Sequence, residues 1–189
     1  AARALVRERG FNGTTSREIA KACELSEATL FFYFRSKDEI FTSLLLEGID
    51  FMACGLDEIA AAGLPRRERI GRLWRFFGAV RAEHPEYFQI FAYLAHPQAT
   101  ASVSDEVKAN LARRSGDNFR RLAALLGDGG DEPAARVAAD LVWSAFVGLM
   151  VLRDSRENLG ARPHPTDREL AAALGLLLDG VASGAGAEP

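Results

Sequence analysis

Thr15-Ser16-Arg17-Glu18-Ile19-Ala20-Lys21-Ala22-Cys23 is followed, after Glu24, by Leu25-Ser26-Glu27-Ala28-Thr29-Leu30-Phe31-Phe32-Tyr33-Phe34-Arg35-Ser36-Lys37. The spacing predicts two short helices joined by a tight turn. Thr15 and Glu18 stand as a capping box requires: the hydroxyl accepts from a first-turn amide while the carboxylate reaches back to the cap. Ile19, Ala20 and Cys23 then recur at helical spacing and form a narrow inward stripe. Small Ala20 suits a close helix crossing. Glu24-Leu25 makes the turn, with Leu25 placed to fill the corner between the helices. Ser26 caps the second helix, whose Leu30 and Phe34 point inward four residues apart. Glu27, Ala28, Thr29, Phe31, Phe32 and Tyr33 remain for its sides and outward face. Ser36 with Glu39 forms a second capping box, and a further helix opens at Lys37. A helix-turn-helix near one end of a longer chain implies one part that holds DNA and another that governs it.

From Gly10 to about Leu46 the chain resembles the DNA-binding domain of TetR-family transcriptional regulators. The family pattern is met by Gly10-Phe11, Thr14-Thr15, Ile19-Ala20, Ser26, Thr29-Leu30-Phe31, Tyr33-Phe34 and Ser36-Lys37. Three positions depart from it. Glu24 replaces a preferred Gly and costs roughly 1 kcal/mol if the turn needs positive φ. Ala28 replaces a frequent Gly or Pro and slightly favours helix. Phe31 replaces the usual Tyr and removes a hydroxyl that often reaches a phosphate. The resemblance implies double-stranded operator DNA as partner. Thr29, Tyr33 and Lys37, with Thr15, Ser16 and Arg17, then hold phosphates, and Glu27, Ala28 and Phe32 lie nearest the base edges. Glu27 is suited to accept from cytosine N4, and Phe32 to touch thymine methyls.

The 189 residues suffice for a small domain and a larger one, expected at 1–46 and 47–184 with a tail at 185–189. A chain that opens at Ala1 without Met is expected to lack a short N-terminal piece, which in such regulators is often a basic arm. Net charge is −3, which by itself argues against a nucleic-acid binder. Its distribution tempers that: Arg3, Arg7, Arg9, Arg17, Lys21, Arg35 and Lys37 face Glu8, Glu18, Glu24, Glu27, Asp38 and Glu39 in the first 46 residues, a balance of +1. Local placement governs phosphate contacts more than the sum does. The continuous apolar runs, such as Phe146 to Leu152, fall well short of the ~20 residues that span a bilayer. No membrane partner and no secretory leader are expected, and the location is expected to be cytoplasmic. Cys23 and Cys54 stand at no metal-ligand spacing and read as small buried apolar residues.

The remainder reads as all helix, giving about nine helices in an all-α protein. A long helix from Lys37 to about Ala62 ends at Gly63-Leu64-Pro65. Helices follow at about Arg66–Glu83, from Pro85, at Val103–Leu126, at Glu132–Asp154 and at Asp167–Ser183. Gly and Pro clusters separate them. In the last two, apolar side chains spread beyond one stripe, as in a helix covered from two sides. One intramolecular core would account for that. The resemblance implies instead a homodimer interface built from Leu141, Ala145, Gly148, Leu149, Leu170, Leu174, Leu177, Leu178 and Val181. The middle is rich in aromatics, most of which suit a core. Trp74, Phe77, Phe88, Phe91, Phe119, Trp143 and Phe146, with Asn110, are the candidates for lining an apolar cavity. The family uses such a cavity for an effector, here expected to be a mainly hydrophobic small molecule.

Enzymatic readings find little support. His84, His96 and His164 each precede a proline, and none has a His or Cys partner at helical spacing for a metal. No Ser-centred elbow or phosphate-binding Gly loop appears. No cofactor is expected. The leading expectation is a repressor released from a palindromic operator by its ligand. The alternatives are the same fold acting as an activator, or under control of a protein partner, and, from another class, a helical carrier or enzyme.

Overall fold

The computed structural model describes residues 1–10, 12–94, 101, 103–127, 132–160 and 165–184. Among them the chain forms nine helices and no strand. These are α1 (Ala2–Arg9), α2 (Ser16–Ala22), α3 (Glu27–Tyr33), α4 (Lys37–Ala61), α5 (Arg66–Glu83), α6 (Pro85–Leu94), α7 (Asp105–Leu126), α8 (Glu132–Asn158) and α9 (Asp167–Gly184). α8 continues past the expected stop at Asp154, where Arg153 pairs with Glu157 one turn on at 3.1 Å. α9 opens on a capping box that the sequence reading overlooked. Glu169 N–H donates to Thr166 Oγ1 at 3.3 Å, and Glu169 Oε2 accepts from Thr166 N–H at 2.8 Å.

The chain divides into two compact units. The first joins Ala1–Met52 to Ala79–Gly116, and the second joins Ala53–Gly78 to Asp117–Pro189. In the first unit Val6, Ile19, Ala20, Leu30, Ile40, Phe41, Leu45 and Ile90 form the buried core, flanked by Leu5, Phe34, Leu44, Ile49 and Leu111. The helix-turn-helix is therefore built on α1, α4 and α6 together. Contact between α4 and α6 is close, because a Cβ added at Gly48 would lie 2.6 Å from Cγ of Tyr87. In the second unit the core holds Leu56, Ile59, Ile70, Leu73, Trp74, Phe77, Leu122, Leu125, Leu126, Val142, Phe146, Leu174 and Leu178. On α5, Ile70, Leu73, Trp74, Phe77 and Val80 recur at helical spacing and are all buried.

Three inward assignments need correction. Cys23 and Cys54 are both exposed free thiols, not buried. Cys23 is the C-cap of α2, past the turn whose inward side is Ile19 and Ala20. Cys54 precedes Gly55 and Leu56, which take the buried face, and one residue of helix rotates a side chain by about 100°. Leu25 does not fill the corner either; it stays 42% exposed. The turn closes through the backbone instead. Glu24 adopts φ 58°, Leu25 N–H donates to Ala20 C=O at 2.9 Å, and Glu24 N–H donates to Lys21 C=O at 3.1 Å. This is a Schellman closure with Glu in the place usually given to glycine.

By length and composition, Pro133–Asn158 within α8 would suffice to cross a bilayer, with 22% of its 18-residue apolar window buried within its own chain. Run length in the sequence hid this, since Arg136, Asp140 and Ser144 break up the apolar residues of the helix before its charged last turns. Such a helix equally suits a protein whose partly uncovered face meets another helix.

Candidate nucleic-acid interface

The capping box at Thr15 forms as the sequence indicates. Glu18 N–H donates to Thr15 Oγ1 at 3.2 Å, and Thr15 N–H donates to Glu18 Oε2 at 2.9 Å. Arg9 from α1 adds an ion pair to the other carboxylate oxygen at 2.6 Å. The Thr15 hydrogen bonds, followed by the Arg9 charge, hold the Glu18 carboxyl below the usual carboxylate range. Ser26 caps α3 by accepting from Thr29 N–H at 3.0 Å, and the two hydroxyls lie 2.8 Å apart.

Glu27 links the two helices of the motif. Ser16 Oγ donates to its Oε1 at 2.8 Å, and Arg17 Nε lies 3.4 Å from its Oε2. The Ser16 hydrogen bond first, then Arg17, lowers the Glu27 carboxyl below its ordinary range. The carboxylate thus orients the N-terminus of α2 against that of α3. Both of its oxygens are engaged within the head rather than left open toward a base edge. Sequence spacing alone does not reveal this link, because Ser16 and Glu27 lie on different helices.

α3 buries one side chain deeply, Leu30 at 4% exposure. Its outward side carries Phe31, Phe32 and Tyr33, with Phe32 83% and Tyr33 71% exposed. Phe32 and Tyr33 meet edge to face at 5.4 Å. Ala28 and Thr29 are exposed on the preceding turn. Arg17 projects into solvent, its side chain 86% exposed. Lys37 is half-buried. Its ammonium donates to Thr14 C=O at 3.1 Å and lies 5.7 Å from the Phe41 ring centre. That bond ties the start of α4 to the segment before α2. The nine residues foreseen for DNA therefore gather on the two short helices and their flanks.

A short aromatic-faced helix, set by its caps across a second short helix, defines the class: a helix-turn-helix DNA-binding protein. Residues 1–44 match the family model described as "Bacterial regulatory proteins, tetR family". The chain is 26% identical over 185 residues to an uncharacterized HTH-type transcriptional regulator of Mycobacterium tuberculosis, covering 98% of this chain and 78% of that protein. A transcriptional regulator from Rhodococcus sp. Rha1 shares the fold at TM-score 0.69 and 21% identity, covering 100% of this chain and 95% of that one. AibR, solved in complex with isovaleryl coenzyme A and operator DNA, aligns at TM-score 0.58 and 18% identity over 93% of this chain and 92% of that one. Residues 1–44 therefore match a tetR-family head, and nearly the whole chain is similar to HTH-type transcriptional regulators.

The other foreseen sites are distributed as follows. In the second unit Trp74, Phe77, Phe119, Trp143 and Phe146 form one aromatic cluster, with Phe77 5.5 Å from Trp143 and 5.2 Å from Phe146. Trp74 lies 5.5 Å from Phe146, and Phe119 lies 6.5 Å from Trp143. Phe88, Phe91 and Asn110 belong to the first unit. Phe91 is exposed, and Asn110 Oδ1 accepts from Arg113 at 2.8 Å and from Arg114 at 3.2 Å. On α8 and α9, Leu174 and Leu178 turn into the core, while Leu141 and Leu177 are exposed at 42% and 64%. Gly148 is exposed, and Ala145, Leu149 and Leu170 are half-buried. The side chain of Val181 lies outside the described residues, as do His96 and His164.

Proposed function

We propose that this regulator acts as a homodimeric repressor on a near-palindromic operator, and that a mainly hydrophobic small molecule bound by the C-terminal helices releases it. The observation that carries the DNA half is the capped α3, whose exposed Phe32 and Tyr33 have no use inside the protein. Thr15, Ser16, Arg17, Thr29, Tyr33 and Lys37 fix its register on phosphates. Ala28 and Phe32 approach base edges, with Phe32 against thymine methyls. Glu27 acts mainly by holding Ser16 and Arg17 in place. With so few free hydrogen-bonding groups facing the bases, duplex shape supplies part of the selectivity.

Pairing is supported by the apolar residues of α8 and α9. Leu141, Val151, Leu152, Leu176 and Leu177 are all exposed on the single chain, and Gly148 leaves room for a neighbouring helix. An exposed apolar face of this kind marks an interaction surface. A second copy on it presents two α3 helices to successive major grooves about 34–36 Å apart, or a multiple of that. No membrane is involved, and the protein works in the cytoplasm. AibR, crystallised with an acyl-coenzyme A and operator DNA, supports the effector half by likeness of fold. Coupling between effector and DNA in such systems is typically about 1–3 kcal/mol.

A second reading rests on one observation. Trp74, Phe77 and Phe146 are each exposed by 2% or less and pack ring on ring. A body filled this way suits control by a protein partner. One experiment separates the two: fluorescence anisotropy of the purified protein on an operator found by genome-wide binding, titrated with fatty acids and their coenzyme A esters. Release by one of them supports the small-molecule reading. Retention with all of them, together with release by a cell protein, supports the second. No sequence preference over random DNA rejects both.

A further inference from the structure

Glu86 opens the first turn of α6, directly after His84-Pro85. It is 1% exposed, yet it is charged by type and has been given no role so far. Its Oε1 lies 3.3 Å from His84 Nδ1. Its Oε2 is buried and has no hydrogen-bond partner among the described residues. A buried carboxylate oxygen without a donor is costly, and native proteins rarely retain one without use. Arg3 is paired with Glu47 and lies over the Tyr87 ring at 5.7 Å. Asp50, farther along α4, is paired with Arg114 at 2.5 Å. Aromatic rings stand beside it: Phe51 is 5.1 Å from His84, which stacks on Tyr87 at 5.2 Å. A buried carboxylate acceptor and nearby aromatic faces favour the same kind of guest.

We propose that Glu86 is the polar anchor of an effector site, and that the group it takes is an organic ammonium carried on an apolar body. The N–H donors of the ammonium satisfy Oε2, while the apolar body lies against the neighbouring rings. Tyr87, the next residue, touches α4 at Gly48 and carries Arg3 of α1 on its face. A guest at Glu86 thus acts one residue from the ring that joins the two helices supporting the reading head. The proposal deepens the effector reading above and rests on it only for the consequence at DNA. Binding is tested without DNA.

The test uses the full chain and three probes of similar size: 2-phenylethylammonium, 2-phenylethanol and phenylacetate. Calorimetric titration should show the ammonium binding at least about tenfold tighter than the alcohol, with the carboxylate weakest. Glu86→Gln should erase that preference while leaving the alcohol almost unchanged. Equal binding of ammonium and alcohol by the native protein overturns the proposal, as does no ammonium binding at all. Retained preference in the Gln variant also overturns it. The native comparison stands even if the variant fails to fold. Decanoate, run in parallel against operator-bound protein, keeps the two ideas separable. Release by decanoate without ammonium binding sinks the Glu86 assignment alone. Ammonium binding while neither compound releases DNA leaves the anchor standing and counts against the effector reading.

Discussion

Replacing Gly48 by Ala probes the contact that joins α4 to α6. The added methyl would sit 2.6, 2.8 and 3.0 Å from Cγ, Cδ1 and Cδ2 of Tyr87. Carbon atoms prefer about 3.5–4.0 Å, so the ring must retreat by about 1 Å. It has little freedom to do so, being 7% exposed, with Arg3 over one face and His84 stacked against it. Overpacking of this kind costs about 1–3 kcal/mol. Ala in mid-helix returns about 1 kcal/mol of backbone propensity. The net expectation is a loss of about 1 kcal/mol and at most about 2, and a melting temperature lower by about 2–4 °C per kcal/mol. Gly78→Ala is the control, since nothing lies within 4 Å of its added Cβ, and it should gain stability. Adding Tyr87→Leu to Gly48→Ala should relieve most of the loss, because the two sites are in contact. Circular-dichroism melts of the four proteins decide the matter. A Gly48→Ala protein as stable as Gly78→Ala would refute the close approach.

Glu24→Gly should stabilise the head by about 0.5–1 kcal/mol: relief of about 1–2 kcal/mol at φ 58° exceeds the extra chain entropy of Gly, and a lower denaturation midpoint would contradict it. Ser26→Ala should cost about 1 kcal/mol through loss of the α3 cap, read by urea unfolding, with no change meaning that the cap is dispensable. Glu18 and Glu27 both have carboxyls lowered in the folded head, so their stabilisation is complete above the ordinary carboxylate range and lost as pH falls through the lowered folded-state values. Glu18→Gln and Glu27→Gln should flatten that acid-side decline in a pH series of melts, and an unchanged decline would assign it elsewhere. Gly148→Ala should weaken self-association in sedimentation while leaving the single chain sound, whereas unchanged association would place the partner on another face. Phe32→Ala should lower the preference for operator over random DNA more than it lowers random binding, and equal losses would remove Phe32 from base contact.

The head was legible because its determinants are local. Thr15 with Glu18, Ser26 with Thr29, and a strained residue at 24 follow from spacings of three or four and from turn chemistry. The body helices were legible from apolar periodicity and from Gly and Pro breaks. Side-chain direction near helix ends was less so. Cys23 and Cys54 fit a helical pattern by number and Leu25 the corner of the turn, but the actual helix phase and a backbone-closed turn leave them in water. Long-range grouping was not legible at all. Nothing local says that Phe88 and Asn110 belong with α1 while Phe119 packs with Trp143, or that Ser16 clasps Glu27. Glu86 left a faint sign, a charge four residues before buried Ile90 on the inward side of α6.

The bareness of Phe32 has a consequence for how the protein behaves in changing electrolyte. Contacts by arginine and lysine to phosphates weaken steeply as ions compete for the duplex. An aromatic ring against a methyl group displaces water rather than ions, so its contribution holds in brine. The head should therefore grow choosier as salt rises: random sites are shed first, and the matched one is kept longest.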